Sequence, residues 1–180
     1  ASAIIQNSST TAATVGLAIK MSATTLDTTS RFINFLDKSG IIIGKINAAD
    51  TTTVAYSANG TDMAEYFIKS GAYIPTPGEV VSSSNDSIVV SSVAYDPRMI
   101  GIVSTAPSFV GGEEGENKVL VAIVGQVPIK IASSSPAISK GDFVTSSIIP
   151  GKATKAIKPG FVIGKALEDW NPDNPSDQIL

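Results

Sequence analysis

The chain has no cysteine and no histidine in its 180 residues. The first absence removes disulfide cross-links and thiol nucleophiles. The second removes every triad built on imidazole, and together they remove the ligands most transition-metal sites need. Neither absence fixes a compartment, because secreted and cytosolic proteins alike can lack cysteine. Charge is also scarce: charged side chains make up 16% of the chain, the net charge is −3 and the pI is near 4.9. Lysine and arginine form no cluster, so no electrostatic grip on nucleic acid is expected. No apolar run approaches the ~20 residues that span a bilayer, and membrane insertion is not expected. The first residues lack the basic-then-apolar order of a secretory leader, and Ala1 reads as an internal or processed start.

What is present is apolar and small. The hydrophobic fraction is 43%, the mean hydropathy is +0.22, and serine and threonine supply roughly a fifth of the residues, above ordinary usage. Such a surface is polar without being charged, as in many extracellular and virion β proteins. The length suffices for a real core, as one domain or as a small module plus a domain.

Short β segments are expected at Ala3-Ile4-Ile5 and at Val15-Gly16-Leu17-Ala18-Ile19. A polar loop at 24–30 precedes a strand at Arg31-Phe32-Ile33-Asn34-Phe35-Leu36, a turn at Asp37-Lys38-Ser39-Gly40, a returning strand at 41–46 and a third at 52–56. Residues 1–58 form a small β module whose Phe32, Phe35, Ile41 and Ile43 exceed what so short a sheet can cover. Packing against identical copies, or against the rest of the chain, would cover them.

Residues 59–70 read as a junction. Asn59-Gly60 is a turn signal, and Asp62-Met63-Ala64-Glu65-Tyr66-Phe67 fits one helical turn capped by Thr61 or Asp62. On that turn Asp62 and Glu65 share one side while Met63, Tyr66 and Phe67 gather on another and are buried. From 71 to 170 the chain is a run of apolar strands punctuated by glycine, followed by a tail at 171–180. Strands are expected around 79–81, 88–90, 99–103, 119–124 and 127–131, with an acidic loop at 111–117. Pro128 cannot donate to a ladder, which places its strand at an edge or on a bulge.

Segments 78–104 and 141–167 align without gaps. Gly78-Glu79-Val80-Val81-Ser82-Ser83-Ser84 matches Gly141-Asp142-Phe143-Val144-Thr145-Ser146-Ser147, and Met99-Ile100-Gly101 matches Val162-Ile163-Gly164. Each half reads as a Gly-acid corner, an apolar strand, a serine-rich loop and a closing strand containing glycine. The fold class is all-β: a small N-terminal β module followed by a compact β-barrel or β-clip-like domain with an internal two-fold repeat.

These residues carry a resemblance. Phe32-Ile33-Asn34-Phe35, Gly40 to Ile46 and Val54-Ala55-Tyr56 resemble the segment preceding the C-terminal domains of phage tail fibres and neck appendages. Asp62 to Phe67, with Ile100-Gly101-Ile102-Val103-Ser104 and Pro107, is similar to the autocleaving intramolecular-chaperone domain of phage appendage proteins, the peptidase G2 type. The resemblance covers most of residues 1–168 in pattern, on short motifs, and implies a homotrimeric appendage. The endosialidase-type chaperone instead carries Ser-Asp followed by Arg-Leu-Lys and long helices. This chain has no such sequence, so that cleavage chemistry is not carried over.

The residues offer little other chemistry. Asp62 and Glu65 are the candidate catalytic acids; the bland alternative is a cap plus a solvated carboxylate. Ser82–Ser84, 133–135 and 146–147 lack an imidazole to activate them and read as solvated loops. Asp50, Asp86, Asp96, Glu113, Glu114 and Glu116 do not have calcium-loop spacing, and Gly111-Gly112 is not followed by the Lys-Ser/Thr of a phosphate cradle. No cofactor and no metal are expected. Trp170 reads as an anchor for the tail rather than a sugar platform. The expected function is a structural part of a tail-fibre-like or cell-surface appendage, homotrimeric, with a receptor or glycan as a further partner. It would be located on a virion, at a cell surface or outside the cell. A self-cleaving peptidase and a carbohydrate-binding or decoration module are the competing classes.

Overall fold

The computed structural model describes residues 17–173 and 178–179. The chain divides into two compact units, Ala1–Ala58 and Asn59–Leu180. The segment expected at 3–5 lies outside the described residues. Leu17, Ala18 and Ile19, expected to be in a strand, form no regular structure.

In the first unit β1 (Arg31–Leu36), β2 (Ile42–Ala48) and β3 (Val54–Ala58) form one antiparallel sheet in chain order. Asp37 makes the first turn: its Oδ1 accepts from the amides of Ser39 at 2.8 Å and Ile41 at 2.9 Å, while Gly40 takes φ 80°. Residues directly opposite in a ladder share a face. Ile46 lies opposite both Ile33 and Tyr56, Gly44 opposite both Phe35 and Ala58, and Ala48 opposite Val54. One face is therefore wholly apolar. The other carries Asn34, Lys45, Asn47 and Ser57, with Ile43 among them. Asn47 Nδ2 donates to the Ala48 carbonyl at 2.7 Å, and its Oδ1 accepts from Ser57 Oγ at 2.8 Å.

The second unit contains β4 (Asp62–Ile68), β5 (Val80–Ser84), β6 (Ser87–Val90), β7 (Met99–Val103), β8 (Pro107–Gly111) and β9 (Lys118–Gly125), joined in one six-stranded sheet of order β6-β5-β7-β9-β4-β8. β10 (Ile129–Lys130) pairs with β14 (Gln178–Ile179). β11 (Phe143–Ser146) lies between β12 (Ala153–Lys155) and β13 (Gly164–Lys165). All of these strand pairings are antiparallel except β4 with β8. No helix and no closed barrel occur among the described residues, so the barrel expectation is corrected. β8 and β13 each end a sheet, and neither pairs onward with a strand that would close it.

Neighbouring residues on a strand point to opposite faces. Val80 faces one core cluster with Ile129, Ile131, Ile138, Val144, Ala153, Ala166, Trp170 and Ile179. Val81 faces a second with Ile88, Val103, Val119 and Val121. β5 is thus buried on both sides, which explains its unbroken apolar start. Trp170 is buried in the first cluster, and its amide and carbonyl both bond Ile138. The indole anchors the segment around residue 170 and offers no open ring face to a sugar.

The repeat is real at the level of single bonds. Val81 lies opposite Gly101, and Val144 opposite Gly164. Gly78 N donates to Val103 O at 3.0 Å, and Gly141 N to Ala166 O at 2.8 Å; Val103 N donates to Glu79 O and Ala166 N to Asp142 O, both at 2.9 Å. Each of these pairs is related by the same 63-residue offset that aligns the sequences. The corners match too, with Gly78 at φ 83° and Gly141 at φ 94°. At each corner the acid caps a backbone amide: Glu79 Oε2 accepts from Thr76 N at 2.8 Å, Asp142 Oδ2 from Ser139 N at 2.7 Å. Each acid also meets a lysine, Lys130 at 3.6 Å and Lys155 at 2.7 Å. The hydrogen bond from Lys155 holds the Asp142 carboxyl below the usual carboxylate range. The halves differ at the hairpin, which has a two-residue turn at 85–86 in one and a longer loop at 147–152 in the other.

Candidate functional site

The stretch expected to be a helical turn is a strand. It pairs with β9 from Asp62 to Ile68 and with β8 from Asp62 to Glu65, and this ladder pairing outweighs any local helical preference. In a strand the three-residue spacing of Asp62 and Glu65 sends them to opposite faces. Asp62 is 4% exposed, while Glu65 stands on the surface beside Gly111. They cannot act on the same bond. Met63, expected to be buried, is 46% exposed, lying between Phe109 of β8 and Val124 of β9. Tyr66 and Phe67 are half-buried, and Phe67 packs on the second core cluster.

Asp62 has a built environment. Its Oδ2 accepts from Ser104 Oγ at 2.7 Å, and its main-chain oxygen accepts from Ser108 Oγ at 2.9 Å. Its Oδ1 is buried with no hydrogen-bond partner among the described residues. Gly125, at φ 127°, comes so close that a Cβ there would stand 2.5 Å from Asp62 Cα. A cavity of about 260 Å³ beside the carboxylate is lined by Thr61, Pro77, Gly78, Val103 and Pro128 among others. A carboxylate accepting one hydroxyl, with no imidazole or amine to relay the proton, is poor machinery for nucleophilic attack. What the pair does physically is tie β4 to the residue that follows β7.

A second buried acid serves the repeat. Asp96 Oδ1 accepts from the Arg98 amide at 3.0 Å and its guanidinium at 3.2 Å, and the Asp96 amide donates to Ser146 Oγ at 2.9 Å. Burial pushes the Asp96 carboxyl up, but the bonds from Arg98 outweigh it and leave the pKa lowered. Ser146 Oγ also donates to the Val93 carbonyl at 2.7 Å. Ser146 therefore ties one half of the repeat to the other and is no solvated loop residue.

A solved structure is similar in fold. It is the crystal structure of pre-mature bacteriophage phi29 gene product 12, similar with a TM-score of 0.50 and 15% sequence identity. The match covers 77% of this chain and 24% of that one, so the chain corresponds to about a quarter of that protein's length. At this identity the likeness concerns the fold. No protein-family model and no curated protein matches the sequence.

Among the described residues no group of three or more acids is placed to hold a metal ion. An apolar surface is present on the first unit. On the first unit's sheet Phe35, Leu36, Val54 and Tyr56 are 44–62% exposed on one face, with the Phe35 and Tyr56 rings 6.3 Å apart. Sequence reasoning found the three strands of this sheet but, of these four residues, named only Phe35 as surplus; Ile41 and Ile43, expected to need the same cover, are exposed at the turn and on the polar face instead. It missed β8, Ser104 as the partner of Asp62, and the period of two in β4, in which Asp62, Ala64 and Tyr66 alternate with Met63, Glu65 and Phe67.

Proposed function

We propose that this chain is a structural component of a phage-tail-fibre-like or cell-surface appendage and assembles as a homotrimer. The observation that carries the reading is the segregated first sheet. Its polar face keeps Asn47 buried and bonded, while its apolar face leaves four large side chains open to water. Scattered apolar residues are ordinary on a surface, but a contiguous sheet face of them marks an association site. A second copy of the same face is the simplest cover, and closed cyclic assembly is the usual outcome for identical chains. The fold likeness to a bacteriophage gene product supports an appendage setting on a virion.

The test is a paired charge substitution, Phe35→Glu with Tyr56→Glu. Both side chains point outward, so the isolated chain keeps its β circular dichroism. Sedimentation should show the wild type as a trimer and the double variant as a monomer. A variant that still sediments as a trimer would show that this face does not drive assembly.

A further inference from the structure

The two halves of the repeat end differently. Beyond β7 the first half continues into β9, with Ile102 opposite Ala122 and Val103 opposite Val121. The approach is tight at Gly101, where a Cβ would stand 2.0 Å from the Ala122 carbonyl oxygen. That contact explains why the position is glycine. Gly164 holds the equivalent position in the second half, yet nothing lies within 4 Å of where its Cβ would be. Its backbone is not in the left-handed region either, so neither packing nor conformation within this chain calls for glycine there. No strand of the described residues pairs with β13 on its far side. A pocket of about 110 Å³ lies beside it, walled by this chain's own Ile102, Gln126, Val127 and Ile129 as well as by Gly164 and Lys165.

We infer that the free edge of β13 receives strand β8 of a second copy of this chain, which completes the second half of the repeat as β9 completes the first. The inference rests on the self-association proposed above and gives it a second contact. Four strands end the two sheets that hold the repeat, and two are already engaged. β6 is bridged to the end of β4 through Ile88 and Lys69, and β12 to Ile131 through Ala153. β8 and β13 remain. Proteins guard free edges with lysine, proline or inward charge. β8 has Pro107 at its first position only, no charge, and exposed Phe109 and Val110. It runs into a loop holding Glu113, Glu114 and Glu116; Lys165 of β13 lies with its Nζ 4.9 Å from the Phe143 ring centre on its own sheet, beside rather than across the edge, and brings the opposite charge to that loop. Main-chain pairing supplies the affinity in such strand addition, and side chains set the register. Because the two edges differ, the contact is head-to-tail, and it closes a three-membered ring when successive copies are related by a third of a turn.

The chain's lack of cysteine makes the test clean. Full-length Phe109→Cys and Lys165→Cys chains, co-expressed and then oxidised, should give a hybrid disulfide dimer. Separately, Gly164→Ala should leave the monomer's β circular dichroism unchanged but weaken self-association by about tenfold, the loss of one or two ladder bonds. A trimer that forms no hybrid disulfide, or whose association is untouched by Gly164→Ala, overturns the β8–β13 contact while leaving self-association intact. A hybrid between Lys165→Cys and Tyr56→Cys chains would give the edge to another segment and equally overturns it. A wild-type monomer removes the contact and the trimer together. If a cysteine variant fails to fold, Gly164→Ala decides alone.

Discussion

Removing the Ser104 hydroxyl should cost more than altering the acid it serves. Asp62 is 4% exposed, and Ser104 Oγ is the side-chain donor to its Oδ2 at 2.7 Å. Its Oδ1 has no partner among the described residues, so Ser104→Ala leaves the buried carboxylate without a side-chain donor. Hydrogen bonds to charged groups contribute ~1.5–3 kcal/mol, and stranding the charged partner places Ser104→Ala at the upper end, ~2–3 kcal/mol. Asp62→Asn is milder, because its amide oxygen can still accept from Ser104 while the charge is gone; about 1 kcal/mol is expected. The double variant should then cost less than the two singles together, with a coupling of at least ~1 kcal/mol. Urea unfolding of the four chains at one protein concentration measures all three values. Strict additivity, or a Ser104→Ala cost within ~0.5 kcal/mol of zero, would refute the idea that this bond pins β4 to the end of β7.

Gly101→Ala must push β7 away from β9, because its Cβ would overlap the Ala122 oxygen. A loss of ~2–4 kcal/mol is expected from overpacking plus a lost ladder bond, and an unchanged urea midpoint would contradict so close a β7–β9 approach. Trp170→Ala should cost ~3–5 kcal/mol as an emptied aromatic core site, visible as a lowered thermal midpoint. The acid response has a definite sign. Asp142 and Asp96 are both held below their ordinary value of 3.8 in the folded state, so they contribute stability above about that pH and lose it as pH falls further. Thermal midpoints should be flat from about pH 7 to 5 and fall below about pH 4, and a midpoint that rises on acidification would reverse the assignment.

The repeat was the most legible feature of the sequence. Gly-Glu and Gly-Asp corners need a positive φ and an acid to take an amide, and few other residue pairs do both. The same chemistry therefore leaves the same letters 63 residues apart. Strands bounded by glycine and Asp-rich turns were legible for the same reason, as Asp37 and Gly40 show. The stretch from Asp62 to Phe67 was not. It contains no β-branched side chain, so its local preference does not announce a strand, and β4 exists because β9 and β8 flank it from distant parts of the chain. Ser104 was invisible for a related reason: its partner lies 42 residues away, and only the sheet order brings them together. Met63 shows the consequence. On a helical turn it would join the aromatics, but on a strand it is turned out beside Phe109 and Val124.

The molar mass of the full chain in dilute solution, by light scattering after size exclusion, tests the central claim most directly. A homotrimer gives three times the 18.5 kDa of one chain, holding steady as the sample is diluted through the micromolar range. A mass of 18.5 kDa at every concentration would contradict it.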